Sequence, residues 1–422
     1  MKYNSIAIIG SGISGLSASY FLSDKCRIKL FEKNDYLGGH SNTVTVDYDG
    51  RKIPVDTGFI VFNHQTYPNL KKFFELLSVD CQKSNMSFSV KVDDGRFEYA
   101  GTNLTTVFAQ LKNALNPRFL WMLYDILKFN KRAIEVLEKP FDASYSLEKF
   151  LNELGVKNYF RQFYLLPMSG AIWSCPLEAM LSYPAQSFVS FFKNHGLLTV
   201  ANQPQWYSVK GGSVEYVKKI NAKISDSVVL SNEVLSVTRL DGEGVLVKSK
   251  QGEEKFDAVL FACHGDQVLK ILQNPTAQES EIFSSFSYQK NLAVLHRDES
   301  IMPNSKRAWA SWVYANNQND SAKISVTYWM NNLQNIDHNF PLFVTLNPTK
   351  EIAEEKVFRK FIYEHPMFDS AAVNSQERIE EIQGIDRLYF CGAYQKYGFH
   401  EDGISSAIAA INKMGVSPQW QS

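Results

Sequence analysis

The first 32 residues carry apolar and polar positions in the order of a strand, a turn, a helix and a second strand. Residues 5–9 form a continuous apolar run, which is typical of a short strand buried in a parallel sheet. Residues 13–23 have a helical pattern, and residues 27–31 form a second short strand that leads directly to Glu32. The pattern predicts that the chain begins with a strand, a crossover helix and a parallel strand.

The turn after the first strand has the complete spacing G-x-G-x-x-G, from Gly10 to Gly15. Gly10 permits a tight turn, Gly12 lets the backbone approach a pyrophosphate, and Gly15 lets the helix pack closely on the strand. The helix N-terminus directs free N–H groups at the phosphates. Glu32 stands where a carboxylate accepts hydrogen bonds from a ribose diol, which disfavours a 2′-phosphate and therefore NADP. These features together indicate a dinucleotide-binding site rather than a glycine turn that binds nothing.

The residues after Glu32 resemble the FAD-dependent amine oxidase-like superfamily, which includes flavin amine oxidases, protoporphyrinogen oxidases and phytoene desaturases. After a short spacer come Gly38 and Gly39, a pair whose amides in this superfamily run along the diphosphate and ribityl chain of FAD. His40 stands where many members have arginine. The resemblance therefore implies FAD with one phosphate contact weakened.

Three later segments extend the resemblance in the expected order. Residues 55–59 are similar to the segment that passes the flavin ring, and residues 232–237 to the strand whose backbone meets the adenine. Residues 388–404 are similar to the last strand and helix, whose N-terminus faces the pyrimidine edge of the flavin. The resemblance implies a non-covalent FAD, because the flavin-linking cysteine of some amine oxidases has no obvious counterpart. The cofactor-binding residues that it implies are Gly10, Gly12, Ile13, Ser14, Gly15, Glu32, Lys33, Gly38, Gly39, His40, Ser41, Thr57, Gly58, Phe59, Val234, Gly392, Glu401, Asp402, Gly403 and Ile404.

A closer resemblance is to a bacterial subgroup of predicted NAD/FAD-binding oxidoreductases that is associated with modification of fatty acyl chains in membrane lipids. The marks of this subgroup run along the whole chain, at residues 55–63, 165–168, 171–174, 194–198, 325–331 and 397–403. The resemblance implies a hydrophobic acyl substrate.

We expect an α/β fold (α+β overall) in which a Rossmann-type FAD-binding lobe is interleaved with a mixed-sheet and helical substrate lobe. The expected FAD-binding lobe comprises residues 1–65, 205–275 and 376–422, and the substrate lobe comprises residues 66–204 and 276–375. Within these segments the pattern predicts a helix over residues 215–224 and strands over residues 283–296, 308–314 and 325–330.

Charge and composition exclude several classes of protein. The 44 basic and 44 acidic residues give no net charge, so no basic surface for nucleic acid is expected. The five cysteines form no C-x-x-C and the eight histidines no H-E-x-x-H, which disfavours a disulfide framework and a metal site. The first strand leaves no room for a signal peptide, and no apolar run of about 18 residues could span a membrane. We expect a cytoplasmic protein that can lie peripherally at the inner face of the membrane.

Two stretches bear on the substrate. Residues 119–132 are rich in aromatic side chains and basic at their end. As a helix, they could either dip an apolar side into a bilayer and pass an acyl chain inward, or pack on the core as an ordinary amphipathic helix. Residues 160–198 are apolar and broken by prolines, which suits the wall of an apolar tunnel and equally suits an ordinary core.

The segment before the last helix holds the candidate catalytic residues. Aligned on the closing glycine of this segment, His400 occupies the position of a tyrosine in the aromatic cage of flavin amine oxidases, and a histidine can move a proton near neutral pH. Tyr397 is the second candidate. Glu401 and Asp402 also suit the plain structural role of first-turn acids. His195 is a candidate of lower rank.

The leading hypothesis is an FAD-dependent oxidoreductase that acts on a hydrophobic substrate, a fatty acyl chain of a lipid. Hydride transfer to the flavin would give desaturation, and return of the hydride would give double-bond isomerisation. One alternative is a flavin amine oxidase, against which the cage tyrosine is replaced at His400. The other is a non-catalytic flavin-binding partner protein. A disulfide-type reductase is disfavoured, because neither a second G-x-G-x-x-G nor a C-x-x-C is present.

Overall fold

The computed structural model describes residues 2–142, 144–173, 180–199, 203–316 and 324–421 as alternating strands and helices. Its strands are β1 (Ser5–Ile9), β2 (Arg27–Phe31), β3 (Thr43–Tyr48), β4 (Arg51–Asp56), β5 (Phe62–Asn63), β6 (Cys81–Ser84), β7 (Phe88–Val92), β8 (Phe97–Ala100), β9 (Trp206–Val209), β10 (Val228–Val229), β11 (Val234–Leu240), β12 (Gly244–Ser249), β13 (Gly252–Phe256), β14 (Ala258–Phe261), β15 (Ser287–His296), β16 (Trp312–Asn316), β17 (Ser325–Trp329), β18 (Phe343–Leu346), β19 (Val357–Met367) and β20 (Leu388–Phe390). Its α-helices are α1 (Ile13–Leu22), α2 (Pro68–Leu76), α3 (Leu104–Val107), α4 (Pro117–Val136), α5 (Leu147–Leu154), α6 (Asn158–Phe160), α7 (Leu166–Trp173), α8 (Ala185–Asn194), α9 (Val214–Ile224), α10 (Gly265–Ile271), α11 (Ala277–Ser284), α12 (Met330–Gln334), α13 (Ser370–Ile382) and α14 (His400–Lys413).

The first apolar run forms the central strand of a five-stranded parallel sheet. Its order is β10-β2-β1-β14-β20, and every pair in it is parallel. The strand–helix–strand unit β1-α1-β2 is confirmed, with its two strands at the predicted bounds and its helix one residue shorter. All strands of this sheet come from segments expected to bind FAD, while the boundaries of the two lobes stay a prediction. The α/β fold class is confirmed.

Close packing around the glycine turn explains two of its glycines. A Cβ on Gly15 would lie 1.9 Å from the carbonyl oxygen of Gly10. Gly10 has a φ of +101°, and a Cβ there would lie 2.8 Å from the carbonyl oxygen of Ala262. Both positions therefore require glycine for steric reasons alone.

A seven-stranded mixed sheet forms the second large layer. Its order is β19-β15-β18-β17-β16-β7-β8, and its neighbours are antiparallel except for the parallel pair β7 and β16. The register of β15 on β19 places Tyr288 opposite Pro366 and Lys290 opposite Glu364. Smaller antiparallel sheets pair β11-β12-β13, β3-β4 and β5-β9-β6.

Three predicted strands differ at their ends from the structure. The strand expected over residues 283–296 starts only at Ser287, because the preceding residues form α11. Thr276 caps that helix: its hydroxyl accepts from the Glu279 N–H at 3.1 Å and its own N–H donates to the Glu279 carboxylate at 2.8 Å. The strand expected over residues 308–314 is β16, which starts only at Trp312, and the strand over residues 325–330 ends at Trp329.

The helical region, defined as the described residues between 104 and 199, packs its own apolar core. Pro117 begins α4, and the Asn116 side chain caps it by accepting from the Arg118 N–H at 3.0 Å. One face of α4 is buried in this core, through Phe119, Met122, Phe129, Ala133 and Val136. Ser174 and Cys175 lie outside the described residues. Among the helices that the structure describes, none is long and apolar enough to cross a bilayer.

Candidate functional site

One continuous cavity of about 1660 Å³ extends from the G-x-G-x-x-G turn to the helical region. Glu32 and Val234 line it on the side of the parallel sheet, and Leu123 and Ile126 of α4 line it on the helical side. Pockets for one drug-sized ligand have volumes of about 300–1,000 Å³. The cavity therefore has room for a dinucleotide and a second molecule.

The N-terminus of α1 presents backbone N–H groups to this cavity. The helix starts at Ile13 without a capping side chain and without an acidic residue in its first turn. Gly12 precedes it in an extended conformation, and a Cβ on Gly12 would meet no atom within 4 Å. Open space beside an uncapped helix N-terminus fits the pyrophosphate of a dinucleotide.

Glu32 is held beside the same turn by three hydrogen bonds. One carboxylate oxygen accepts from the Ser11 N–H at 3.0 Å and the Ser11 hydroxyl at 2.6 Å, and the other accepts from the Asn34 N–H at 2.9 Å. An ionised carboxylate has about four acceptor positions, so capacity remains for a ribose hydroxyl. This geometry fits the predicted role of Glu32.

His40 has a buried ring nitrogen that lacks a partner. Its ring stacks on Tyr363 with centres 5.0 Å apart, and its Nε2 makes no hydrogen bond within the described part of the chain. Burial, followed by the nearby His365, His264 and His400, holds the pKa of His40 well below its usual range. A neutral imidazole on the cavity wall fits a polar group of a bound ligand, but it supplies no fixed positive charge to a phosphate.

The structure brings most of the predicted cofactor-binding residues to this cavity. Those that line it are Gly10, Gly12, Ile13, Ser14, Glu32, Lys33, Gly38, Gly39, His40, Gly58, Phe59, Val234 and Gly392. The predicted residues outside the lining are Gly15, Ser41, Thr57, Glu401, Asp402, Gly403 and Ile404. These seven residues contact other parts of the protein instead. The contact of Gly15 with Gly10 is given above, and the contacts of the others follow.

Glu401 and Asp402 bind backbone N–H groups. Glu401 accepts from the N–H groups of Asn69 and Leu70, at 3.0 and 2.9 Å, in the first turn of α2. Asp402 accepts from the N–H of Phe399 at 2.9 Å at the start of its own helix, and burial raises its pKa to about 7. Both carboxylates therefore have a structural role, which the sequence analysis also allowed.

The other supporting residues join different helices and strands. The Ser14 hydroxyl donates to the Gly403 carbonyl at 2.9 Å, which joins α1 to α14. Thr57 and Tyr363 share a hydrogen bond of 2.7 Å between their hydroxyls. Ile404 is buried in the core. Through these contacts Thr57 and Gly403 hold the lining residues Tyr363 and Ser14 in place.

His400 lines the cavity but is tightly held. Its ring stacks on Phe59 with centres 3.7 Å apart and 14° between the planes. Its Nε2 lies 2.8 Å from the Ser41 hydroxyl and 3.3 Å from the Tyr216 hydroxyl, and these two hydroxyls also contact each other. Burial lowers the pKa of His400 to about 3, so the imidazole is neutral at pH 7.

His195 lines the same cavity within a cluster of aromatic rings. It stacks on Phe191 at 3.8 Å between ring centres, and Phe191 in turn contacts Tyr397 at 5.6 Å and Phe399 at 5.1 Å. Its Nδ1 lies 3.0 Å from the Phe191 carbonyl oxygen. Because a carbonyl only accepts, Nδ1 carries the proton, and burial lowers the pKa to about 4. The neutral ring therefore keeps Nε2 as a proton acceptor.

Sequence reasoning missed a group of polar residues on β15 and β19. Tyr288, Lys290, Tyr363 and His365 of these two strands line the cavity, together with His264 before α10, and Glu364 between the two residues of β19 lines it as well. The pairing of β15 with β19, which no local pattern reveals, is what brings the four strand residues together.

The helical region supplies an apolar wall. Residues 160–198 contribute Tyr164, Met168, Ile172, Phe191 and Leu197 to the lining. Neighbours in the same segment, such as Phe188 and Phe192, are buried in the core instead. The segment therefore serves both as a cavity wall and as an ordinary core.

Comparison with known proteins identifies a family that this chain matches. Residues 13–304 match the model of the flavin containing amine oxidoreductases. No curated protein matches the chain by sequence. Among solved structures, a CLA-producing fatty acid isomerase from P. acnes is 14% identical with a TM-score of 0.70, covering 98% of this chain and 99% of its own.

Two amine oxidases have the same fold. Cyclohexylamine oxidase from Brevibacterium oxydans IH-35A is 13% identical with a TM-score of 0.71, covering 98% of this chain and 100% of its own. Putrescine oxidase bound to putrescine is 15% identical with a TM-score of 0.66, covering 97% of this chain and 99% of its own. Because the family model matches more than half of the chain, this protein belongs to the flavin-containing amine oxidoreductases and is an enzyme of that family.

Proposed function

We propose that this flavoenzyme binds FAD non-covalently and acts on a fatty acyl chain, by desaturation or by double-bond isomerisation. The observation that carries the proposal is the large cavity, which continues from the dinucleotide end into an apolar wall. A fatty acid isomerase with the same fold supports it.

FAD would be held by the residues that fit a dinucleotide. Glu32 would bind the ribose, the α1 N-terminus with Gly12 the pyrophosphate, and the backbone at Val234 the adenine. His40 would offer its unpartnered Nε2 to a polar group of the cofactor. When bound, FAD supplies the capacity to take a hydride from a C–H bond.

The chemistry of the helical wall favours an acyl chain over an amine. The residues of the helical region that line the cavity are apolar, aromatic or uncharged, and none of those described is a carboxylate. A protonated amine would need an anionic or strongly polar partner on entering such a wall, whereas a hydrocarbon chain needs none. The wall therefore gains from burying methylene groups.

The cavity offers two histidines for different tasks. We assign the proton acceptor to His195, because its Nε2 is free of the bond that holds Nδ1. We assign His400 to positioning of Phe59 and Ser41, since its Nε2 is already hydrogen-bonded. Tyr397 stays a candidate for contact with the substrate, beside Phe191 on the cavity wall.

The experiment is product analysis by mass spectrometry after incubation with saturated, monounsaturated and branched acyl lipids and with primary to tertiary amines. Loss of two hydrogens from a lipid identifies desaturation, and an unchanged mass with a moved double bond identifies isomerisation. Conversion of amines alone would instead establish the amine oxidase alternative.

Two variants then separate the histidines. His195→Asn keeps a donor for the Phe191 carbonyl but lacks the Nε2 acceptor, so we expect turnover to fall by about 100-fold with FAD retained. His400→Gln keeps a polar atom near Ser41, so we expect a fall of about tenfold or less. The reverse order would assign the proton step to His400.

A further inference from the structure

The outer face of the helical region carries an unusual set of exposed apolar side chains. Leu104, Leu111 and Leu115 are 77%, 75% and 87% exposed, and Trp121 is 57% exposed. Leu120, Tyr124 and Leu127 complete the set along α4. We call these seven residues the apolar rim. Single exposed apolar residues are ordinary, but seven within residues 104–127 require an explanation.

Helix α4 has apolar side chains on both of its sides. Its buried side packs on the core through Phe119, Met122 and Phe129. Leu120, Tyr124 and Leu127, spaced at four and three residues, lie on the opposite side. A helix that only packed on the core would carry polar residues there. The buried face fits the interpretation as a core helix, and the second apolar face is left without a described partner.

Exposed cations outnumber exposed acids around the apolar rim, although the exposed Glu135 pairs with Arg132 at 3.2 Å. Between residues 101 and 134 the side chains Lys112, Arg118, Lys128, Lys131 and Arg132 are cationic and lie at least partly in solvent. The acid of this stretch, Asp125, is buried and accepts from the Lys157 N–H at 2.8 Å. The whole chain has no net charge, so the excess of cations is local. Cations beside apolar and aromatic side chains complement an anionic lipid surface.

The cavity reaches the apolar rim. Leu104 and Leu127 belong to the rim and also line the cavity, next to the exposed Gly101 and Thr102. The apolar wall inside the cavity is therefore continuous with the apolar surface outside. A second protein would also cover the rim, but it would not explain why the rim borders the opening of an acyl-sized cavity.

We propose that the apolar rim is a docking surface for an anionic phospholipid bilayer, with its apolar side chains in the interface and the cavity opening toward the lipid. Its use in delivering an acyl chain rests on the proposed function. Docking itself does not, because it is measured without turnover.

The test is flotation of the FAD-loaded protein with vesicles of phosphatidylcholine alone or mixed equally with phosphatidylglycerol. We expect binding to the mixed vesicles, weaker binding to phosphatidylcholine, and a decrease with added salt. The triple variant Leu111→Ser, Leu115→Ser and Trp121→Ser should bind at least about tenfold more weakly. None of these three residues lines the cavity.

The control variant is Ile385→Ser, which removes an exposed apolar residue far from the rim in sequence. It should bind vesicles like the wild type, and both variants should keep bound FAD and the wild-type melting temperature. Equal flotation of the triple variant and the wild type would overturn the proposal, as would absence of wild-type flotation. Dimers that form without vesicles and disappear in the triple variant would assign the rim to a second copy of the chain instead.

Discussion

The glycine turn and the helical region line one cavity, but their sequences specify them in different ways. In the turn, backbone atoms make the site, and a single Cβ on Gly15 would collide with a carbonyl oxygen at 1.9 Å. In the helical region, side chains of interchangeable apolar type make the wall. The cofactor end is thus fixed by backbone geometry that glycine alone supplies, whereas the substrate end is fixed by volume and polarity.

The largest effect should come from Gly15→Ala. The added Cβ collides with backbone of Gly10, which cannot move without disturbing β1 and α1. We expect the free energy of unfolding to fall by about 3 kcal/mol or more, measured by chemical denaturation. Stability equal to the wild type would show that the turn is not sterically fixed.

Gly12→Ala should separate binding from folding in the same turn. A Cβ there meets no atom within 4 Å and the backbone is extended, so the stability of the apoprotein should change by less than about 0.5 kcal/mol. The methyl group would occupy the space assigned to the pyrophosphate. We expect FAD affinity, measured by fluorescence titration, to fall by at least about tenfold. Unchanged affinity would place the pyrophosphate elsewhere.

A wall substitution should change specificity without affecting the cofactor. Ile126→Trp adds volume on the helical side of the cavity, so long acyl chains should lose about tenfold in kcat/KM while shorter chains are affected less. Ile134→Trp, on the same helix and outside the lining, is the matched control. Equal FAD content in both proteins is expected, and an equal chain-length profile would remove α4 from the substrate wall.

The last prediction concerns pH and tests one side chain of the wall. The pKa of His195 is about 4 in the folded protein, below its ordinary value of 6.5. As pH falls below 6.5, the unfolded chain binds the proton first, so stability that is fully present above pH 6.5 is lost toward pH 4. Between pH 7 and 4.5 the wild type should lose about 2 kcal/mol more than His195→Asn. Parallel stability curves for the two proteins would contradict a neutral, buried His195.

The same contrast explains what the sequence could predict. The unit β1-α1-β2 was predicted to within one residue, because the spacing of Gly10, Gly12 and Gly15 is a local signal with one structural solution. The dinucleotide end of the cavity followed from it. For Glu401 and Asp402 the sequence allowed either cofactor binding or a structural role at the start of the last helix. The contacts of their carboxylates with backbone N–H groups indicate the structural role.

The rest depends on contacts between distant segments. Tyr363 and His365 reach the cavity because β19 pairs with β15, and a strand's alternation does not say which face meets a ligand. For residues 119–132 the sequence left two roles open for a similar reason, since α4 is apolar on both sides and the sequence cannot say which side meets the core. The role of His400, catalytic by the sequence analysis and positioning in the proposed function, stays a prediction.

The most direct test of the central claim is anaerobic stopped-flow absorbance of the holoenzyme, mixed in turn with acyl lipids and with amines. A lasting or transient loss of the oxidised flavin band with at least one acyl lipid, and none with amines, is the result that we predict. Loss of the band with amines alone would contradict the acyl substrate and establish an amine oxidase.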